Sequence, residues 1–285
     1  MNSKLVAALL LLAATPLALA AQPSGSNAGQ TRILNTTASA AGLTGVKLTA
    51  GVGSIHITTS SADTVSIKVA AEPSDNMHFI FDWTTGPSAN SLPAGLHLVT
   101  RREGSQLVVS LATGAGSAAS ASSADSGHKK TTIDVSGHTY TTGDNPGWKA
   151  DWTLVLPVRL ALDLTVGVGK AQITGVGGGL RARIGVGKLT AQLPRGPVDA
   201  NVGVGDVKAF ITGADYGTVK LTAGVGHVEF DVNGQRNKTG YTSHFTSAEQ
   251  QVNGSGKTGY SLKSGVGHVD LEIGVKDLPK SNGND

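Results

Sequence analysis

The chain has no cysteine among its 285 residues, which excludes a disulfide framework, a thiolate metal site and lipid attachment to a cysteine at an export cleavage point. Aromatic residues make up only 4%, too few for an ordinary layered globule of this length. A dominant charge sign is missing too. Lys and Arg number 23 against 20 Asp and Glu, a formal +3, so nucleic acid is not expected as a partner despite a pI near 9.1. After the N-terminal segment no apolar run approaches the roughly 20 residues of a membrane-spanning helix, so the chain is not expected to span a bilayer. Glycine is what the sequence has in excess, with 39 residues. That abundance points to a slim, turn-rich β architecture.

The first twenty residues carry one basic residue, Lys4, an apolar run from Leu5 to Ala14, Pro16 and the small-x-small sequence Ala18-Leu19-Ala20. This is the pattern of a secretory signal cleaved after Ala20, so export to the periplasm or cell surface is expected. Losing Lys4 would take the net charge from +3 to +2. The expected organisation is a signal at 1–20, a lead-in at 21–42, one main domain at 43–274 with a low-complexity Ala/Ser/Gly loop at 112–132, and a polar tail at 275–285.

The tripeptide Gly-Val-Gly occurs at 51–53, 167–169, 185–187, 203–205, 224–226 and 265–267, and from 167 onward the copies start 18, 18, 21 and 41 residues apart. A fixed period of this size marks a repeat protein, with the last gap reading as two coils or as one coil with an insertion. After each copy, polar and apolar residues alternate. The inward set is Ile55 and Ile57, Ala171 and Ile173, Leu189 and Ala191, Val207 and Ala209, Val228 and Phe230, Val269 and Leu271. Period-two alternation makes each segment a strand with one buried face. A second strand precedes most copies, as in Leu160–Val166, Leu180–Ile184 and Val198–Val202. Glycines on both sides of the valine permit a corner, with the valine expected to fill its inside. The predicted fold is all-β: a parallel, right-handed β-helix-like solenoid with coils of 18–21 residues and no helix.

Asp151-Trp-Thr-Leu-Val-Leu-Pro157, a strand ending in Leu-Pro, is followed between Leu160 and Ile211 by a succession of Gly-Val-Gly-(Asp/Lys)-(Val/Leu) coils. This pattern resembles the bacterial exported proteins of unknown function named the putative-adhesin family, whose domain is a Gly-x-Gly β-solenoid, and the likeness covers about residues 43–273. The resemblance implies surface binding or adhesion and supplies no catalytic residue. The Gly-Asp-Val form of the repeat is matched well only at Gly205-Asp206-Val207.

The outward residues of the strands after each corner place Lys170, Lys188, Asp206, His227 and His268 in one column, and Gln172, Thr190, Lys208, Glu229 and Asp270 in the next. The candidate binding patch is His227, Glu229, Asp231, His268, Asp270 and Glu272. Imidazoles beside carboxylates suit a transition metal. The bland alternative is a solvated face with Lys208/Glu229-type pairs worth about 0–1 kcal/mol each, and no metal or other cofactor is assigned. Gly254-Ser-Gly256-Lys257-Thr258 resembles the end of a phosphate-binding loop, but Gln251 stands where the first glycine is required and a strand follows. A dinucleotide fingerprint lacks its third glycine, and Gly175–Gly179 lacks the aspartate of a calcium repeat. Trp152 reads as core, whereas Trp83 and Trp148 lie near irregular connections and read as exposed. The expected function is non-enzymatic, adhesin-like binding of envelope glycan, another envelope polymer or a protein. Two alternatives stand beside it: a self-associating structural protein, and a glycan-active β-helix enzyme.

Overall fold

The computed structural model describes residues 31–73, 92–93, 95–112, 131–135, 138–142, 148–237 and 248–275, with 131–135, 138–142 and 236–237 described by backbone alone. The expected signal, Trp83, nearly all of the 112–132 loop and the tail from 276 lie outside the described residues. At the loop's margins, Ala112 ends one strand and Thr131 starts another.

Among the described residues there are strands and turns but no helix. In chain order the strands are β1 (Arg32–Ser39), β2 (Gly45–Ser60), β3 (Thr64–Pro73), β4 (His97–Glu103), β5 (Gln106–Ala112), β6 (Thr131–Val135), β7 (His138–Thr142) and β8 (Trp148–Pro157). They continue with β9 (Ala161–Thr174), β10 (Leu180–Leu193), β11 (Val198–Ile211), β12 (Thr218–Val232), β13 (Gln235–Asn237), β14 (Ala248–Asn253) and β15 (Tyr260–Ile273). All but the hairpin β6–β7 join one mixed sheet.

The six strands carrying Gly-Val-Gly stack in parallel and in register, in the order β2, β9, β10, β11, β15, β12. Equivalent repeat positions fall opposite one another, so the alternation seen in the sequence becomes columns. Ile55, Ala171, Leu189, Val207, Val269 and Val228 form one column, and all twelve expected inward residues are buried. The strand before each corner adds Leu162, Leu164 and Val166 and their counterparts to the same core. Each fully buried aliphatic side chain contributes about 1.5–3 kcal/mol. One inward position is polar: Ser264 is buried where other strands carry valine, isoleucine or alanine, and its hydroxyl donates to the Gly205 carbonyl at 2.7 Å.

Strand order departs from chain order at one place. β15 inserts between β11 and β12, so the 41-residue gap is one repeat carrying an insertion rather than two repeats. The insertion has a visible job. β14 pairs antiparallel with the first half of β12 and β13 with its end, covering the free edge of the outermost repeat strand. At the other end β8 covers the second half of β2 and β5 its start, with β3, β1 and β4 added antiparallel. Regular repeat pairing therefore ends in an antiparallel cap on the β12 side and, on the β2 side, in parallel β5 and β8 backed by antiparallel strands, which limits strand addition by other chains.

β9, β10 and β11 are 14 residues each. Drawn straight, such a strand spans about 45 Å, whereas the four or five residues leading to the next strand reach only about 20 Å. So short a connection between in-register parallel strands calls for a bend within each strand, and Gly-Val-Gly is where the backbone permits one. The second glycine adopts φ between +129° and +152° in all six copies, a region favouring glycine. The valine expectation is overturned here. Val204, Val225 and Val266 are 40–46% exposed, and Val52, Val168 and Val186 are half-buried. The valine faces outward, and inward residues such as Val166 and Ala171 are five apart, an odd number. Alternation must slip once between them, and it slips so that the valine faces out.

Candidate functional site

The sheet after the bends presents an outward face built from every second residue. Its first column runs Ser54, Lys170, Lys188, Asp206, His268, His227 in spatial order, so the two histidines are neighbours, as are Glu229 with Asp270 and Asp231 with Glu272. All six residues of the predicted patch thus lie on two adjacent strands of one face. Charge grades along the ladder from Lys170 and Lys188 on β9 and β10 to four carboxylates on β15 and β12.

Inserting β15 changes which residues meet. Lys208 pairs with Asp270 at 3.4 Å, not with Glu229 as chain order implied, and Asp206 meets His268 rather than His227. The Asp206 Oδ1 accepts the His268 backbone N–H at 3.1 Å and lies 3.0 Å from its Nδ1, so Nδ1 carries the hydrogen. Asp151 Oδ1 does the equivalent for the Ser54 N–H at 2.8 Å one rung beyond β2. The residue just past the bend has a backbone N–H that an aspartate on the preceding strand caps. This gives Gly205-Asp206 a physical role that the sequence pattern alone did not reveal.

The rings of His227 and His268 lie 3.9 Å apart between centroids, inclined by 60°. Among the described residues no group of three or more His, Cys, Asp or Glu is placed to hold a metal ion. The arrangement is chemically a polar face of imidazoles and carboxylates.

Partial burial of Asp206 would raise its pKa, but hydrogen bonds from the His268 ring and backbone, with the charges of His268 and Lys188, outweigh it and hold the carboxyl below its ordinary range. A lowered folded-state pKa stabilises above the unfolded value and loses that contribution as pH falls through the folded one. In urea titrations Asp206→Asn is therefore expected to be less stable than wild type at neutral pH, with the difference shrinking once pH drops below about 4. A constant difference across that range would mean the carboxylate charge is not what matters.

The outward face before the bends was not singled out from the sequence. It holds a shallow trough of about 560 Å³ crossing the six repeat strands, lined by Asp163, Arg181, Asp199, Lys220, Ser261 and Tyr260 among others. Arg181 Nε lies 3.3 Å from Asp199 Oδ2, and Lys220 Nζ 3.0 Å from Glu249 Oε1. These exposed pairs contribute little to stability. The signal for the trough was the alternation Asp163, Arg181, Asp199 at 18-residue spacing. Trp152 is buried as expected, but Trp148 is half-buried against the core instead of exposed, so neither forms an aromatic platform at these faces.

Neither a family model nor a curated protein matches the chain. A crystal structure of a putative cell adhesion protein from Clostridium sporogenes is similar over 86% of this chain and 100% of its own, with a TM-score of 0.46 and 13% sequence identity. No helix among the described residues is long and apolar enough to cross a membrane.

Proposed function

We propose that this protein is a non-enzymatic, exported component of the cell envelope that binds an envelope glycan, another envelope polymer or a protein through its laddered faces. In this reading each bent strand with its short connection is one coil of a β-solenoid, coiled right-handed as parallel crossovers almost always are. The observation that carries the proposal is the in-register stacking of six strands, which sets identical positions at about 4.8 Å intervals. A repeating ladder suits a repeating partner, because one contact can recur at each rung and weak contacts accumulate. The acidic end, with His227, Glu229, Asp231, His268, Asp270 and Glu272, is the assigned contact patch.

The experiment is cosedimentation of purified protein with peptidoglycan, outer-membrane material and whole cells over a salt series. Saturable, salt-tolerant retention by one fraction is expected, together with about a tenfold loss on Glu229→Lys combined with Glu272→Lys. Retention by none of the fractions overturns the reading, as does wild-type binding by the charge-reversed protein. Release of new reducing or unsaturated ends from envelope polysaccharide overturns the non-enzymatic part.

A further inference from the structure

The outward valines make a feature that neither the core nor the patch explains. Val52, Val168, Val186, Val204, Val266 and Val225 are register partners in the six stacked strands, so they form a continuous apolar ridge about 24 Å long. Its last three members are the most exposed, at 40–46%. At that exposure Val204, Val266 and Val225 contribute little to the core. The positive φ belongs to the second glycine, so the backbone there does not itself require a valine at the middle position.

Beside the ridge runs the graded column, with Lys170 and Lys188 on the second and third rungs and Asp206 and His268 on the fourth and fifth. A two-fold axis between the third and fourth rungs maps rung two onto five and three onto four. Lys188 of one copy then faces Asp206 of the other, twice by symmetry, while Lys170 faces His268 and Gln172 faces Asp270. The central Lys188/Asp206 pair is thus complementary in charge under the operation that also lays the two valine ridges together.

We propose that this ridge and the graded face beside it form a two-fold interface with a second copy of the same chain, the two ladders running antiparallel. The inference is independent of the ligand proposed above. Size sets the expected strength. Six strands at about 4.8 Å and seven residues at about 3.3 Å give roughly 650 Å² of flat area before side-chain relief. Stable interfaces bury about 800 Å² per partner, so the dimer is expected to be a weak, micromolar one. The caps on β12 and β2 leave the faces as the surfaces for association, because the strand edges there are already paired over most of their length.

Sedimentation velocity over a concentration series tests this. A reversible monomer–dimer equilibrium is expected, weakened about tenfold or more by Val204→Asp and, separately, by Lys188→Glu. Both side chains lie on the outer surface, and melting curves confirm that the variants fold. The decisive arm is mixing: Lys188→Glu protein and Asp206→Lys protein should each fail to self-associate yet form a heterodimer, since both cross-axis pairs are then opposite in charge. If Asp206→Lys does not fold, Asp206→Asn replaces it: mixed with Lys188→Glu it keeps one opposite-charge pair and no repulsive one, so the mixture associates more tightly than Lys188→Glu protein alone. A monomer at every concentration overturns the proposal, as does a dimer indifferent to both single substitutions, or a mixture that fails to associate.

Discussion

Gly187→Ala is expected to destabilise the protein by on the order of 3–5 kcal/mol, whereas Gly51→Ala, in the same tripeptide repeat, should stay within about 1 kcal/mol of wild type. Gly187 has φ +144°, which a side chain rarely adopts, and a Cβ there would fall within 3.0 Å of the Gly169 carbonyl on the neighbouring strand. That oxygen cannot move alone, because Gly187 and Gly169 are register partners in a continuous parallel ladder. Either the bend opens or the two strands separate locally, and both cost core burial on each side. Gly51 has no atom within 4 Å of the corresponding position. Chemical denaturation of both variants checks this. Equal losses would mean that the bend depends on both glycines alike and that close stacking at the second is not its cause.

That contrast marks where the sequence stopped being informative. Period and alternation were legible because they depend on residue type at fixed spacing, and every inward residue read from them is buried. The two glycines of each tripeptide look equivalent as letters. They differ in φ, and the room beside each depends on the neighbouring strand: Gly51 is open because neither β5 nor β8 is paired opposite it, whereas Gly167, also a first glycine, has the Gly51 carbonyl 2.7 Å from where a Cβ would lie. The patch residues were read correctly as sharing one face, since that follows from alternation within each strand and from the equivalence of repeats. Their partners were not, because chain order predicted that the strand at 224 follows the one at 203, and the insertion 233–259 instead lets β15 take that place. Lys208 therefore pairs with Asp270, and Asp206 caps His268. The valines escaped for a related reason. Five residues separate the inward positions flanking the bend, so one slip of alternation is certain, but its location is set by which glycine takes positive φ.

The second large effect concerns the end of the ladder. Trp152 is 2% exposed on β8, opposite Ile55 of β2 and Val69 of β3, and so adds one rung to the column that continues through Ala171 and Leu189. Beyond Trp152 the column leaves the repeats and runs on through Val69 of β3 to Leu34 of β1, both buried. The indole joins the two halves, and a large side chain fits because no further repeat strand demands the same spacing. Trp152→Ala should cost about 3–5 kcal/mol, since antiparallel neighbours on one side and the ladder on the other leave the cavity little room to collapse. Trp152→Phe should recover most of that loss and fall within about 1.5 kcal/mol of wild type. The reason is that the indole N–H, buried in the wild-type protein, has no hydrogen-bond partner among the described residues. Removing a buried donor that lacks a partner relieves a desolvation penalty of about 1–3 kcal/mol, which offsets the smaller ring's lost contacts. Urea unfolding of the two variants separates volume from polarity. If Phe were as damaging as Ala, the N–H would be contributing a hydrogen bond, and the cap would be held by polarity rather than by packing.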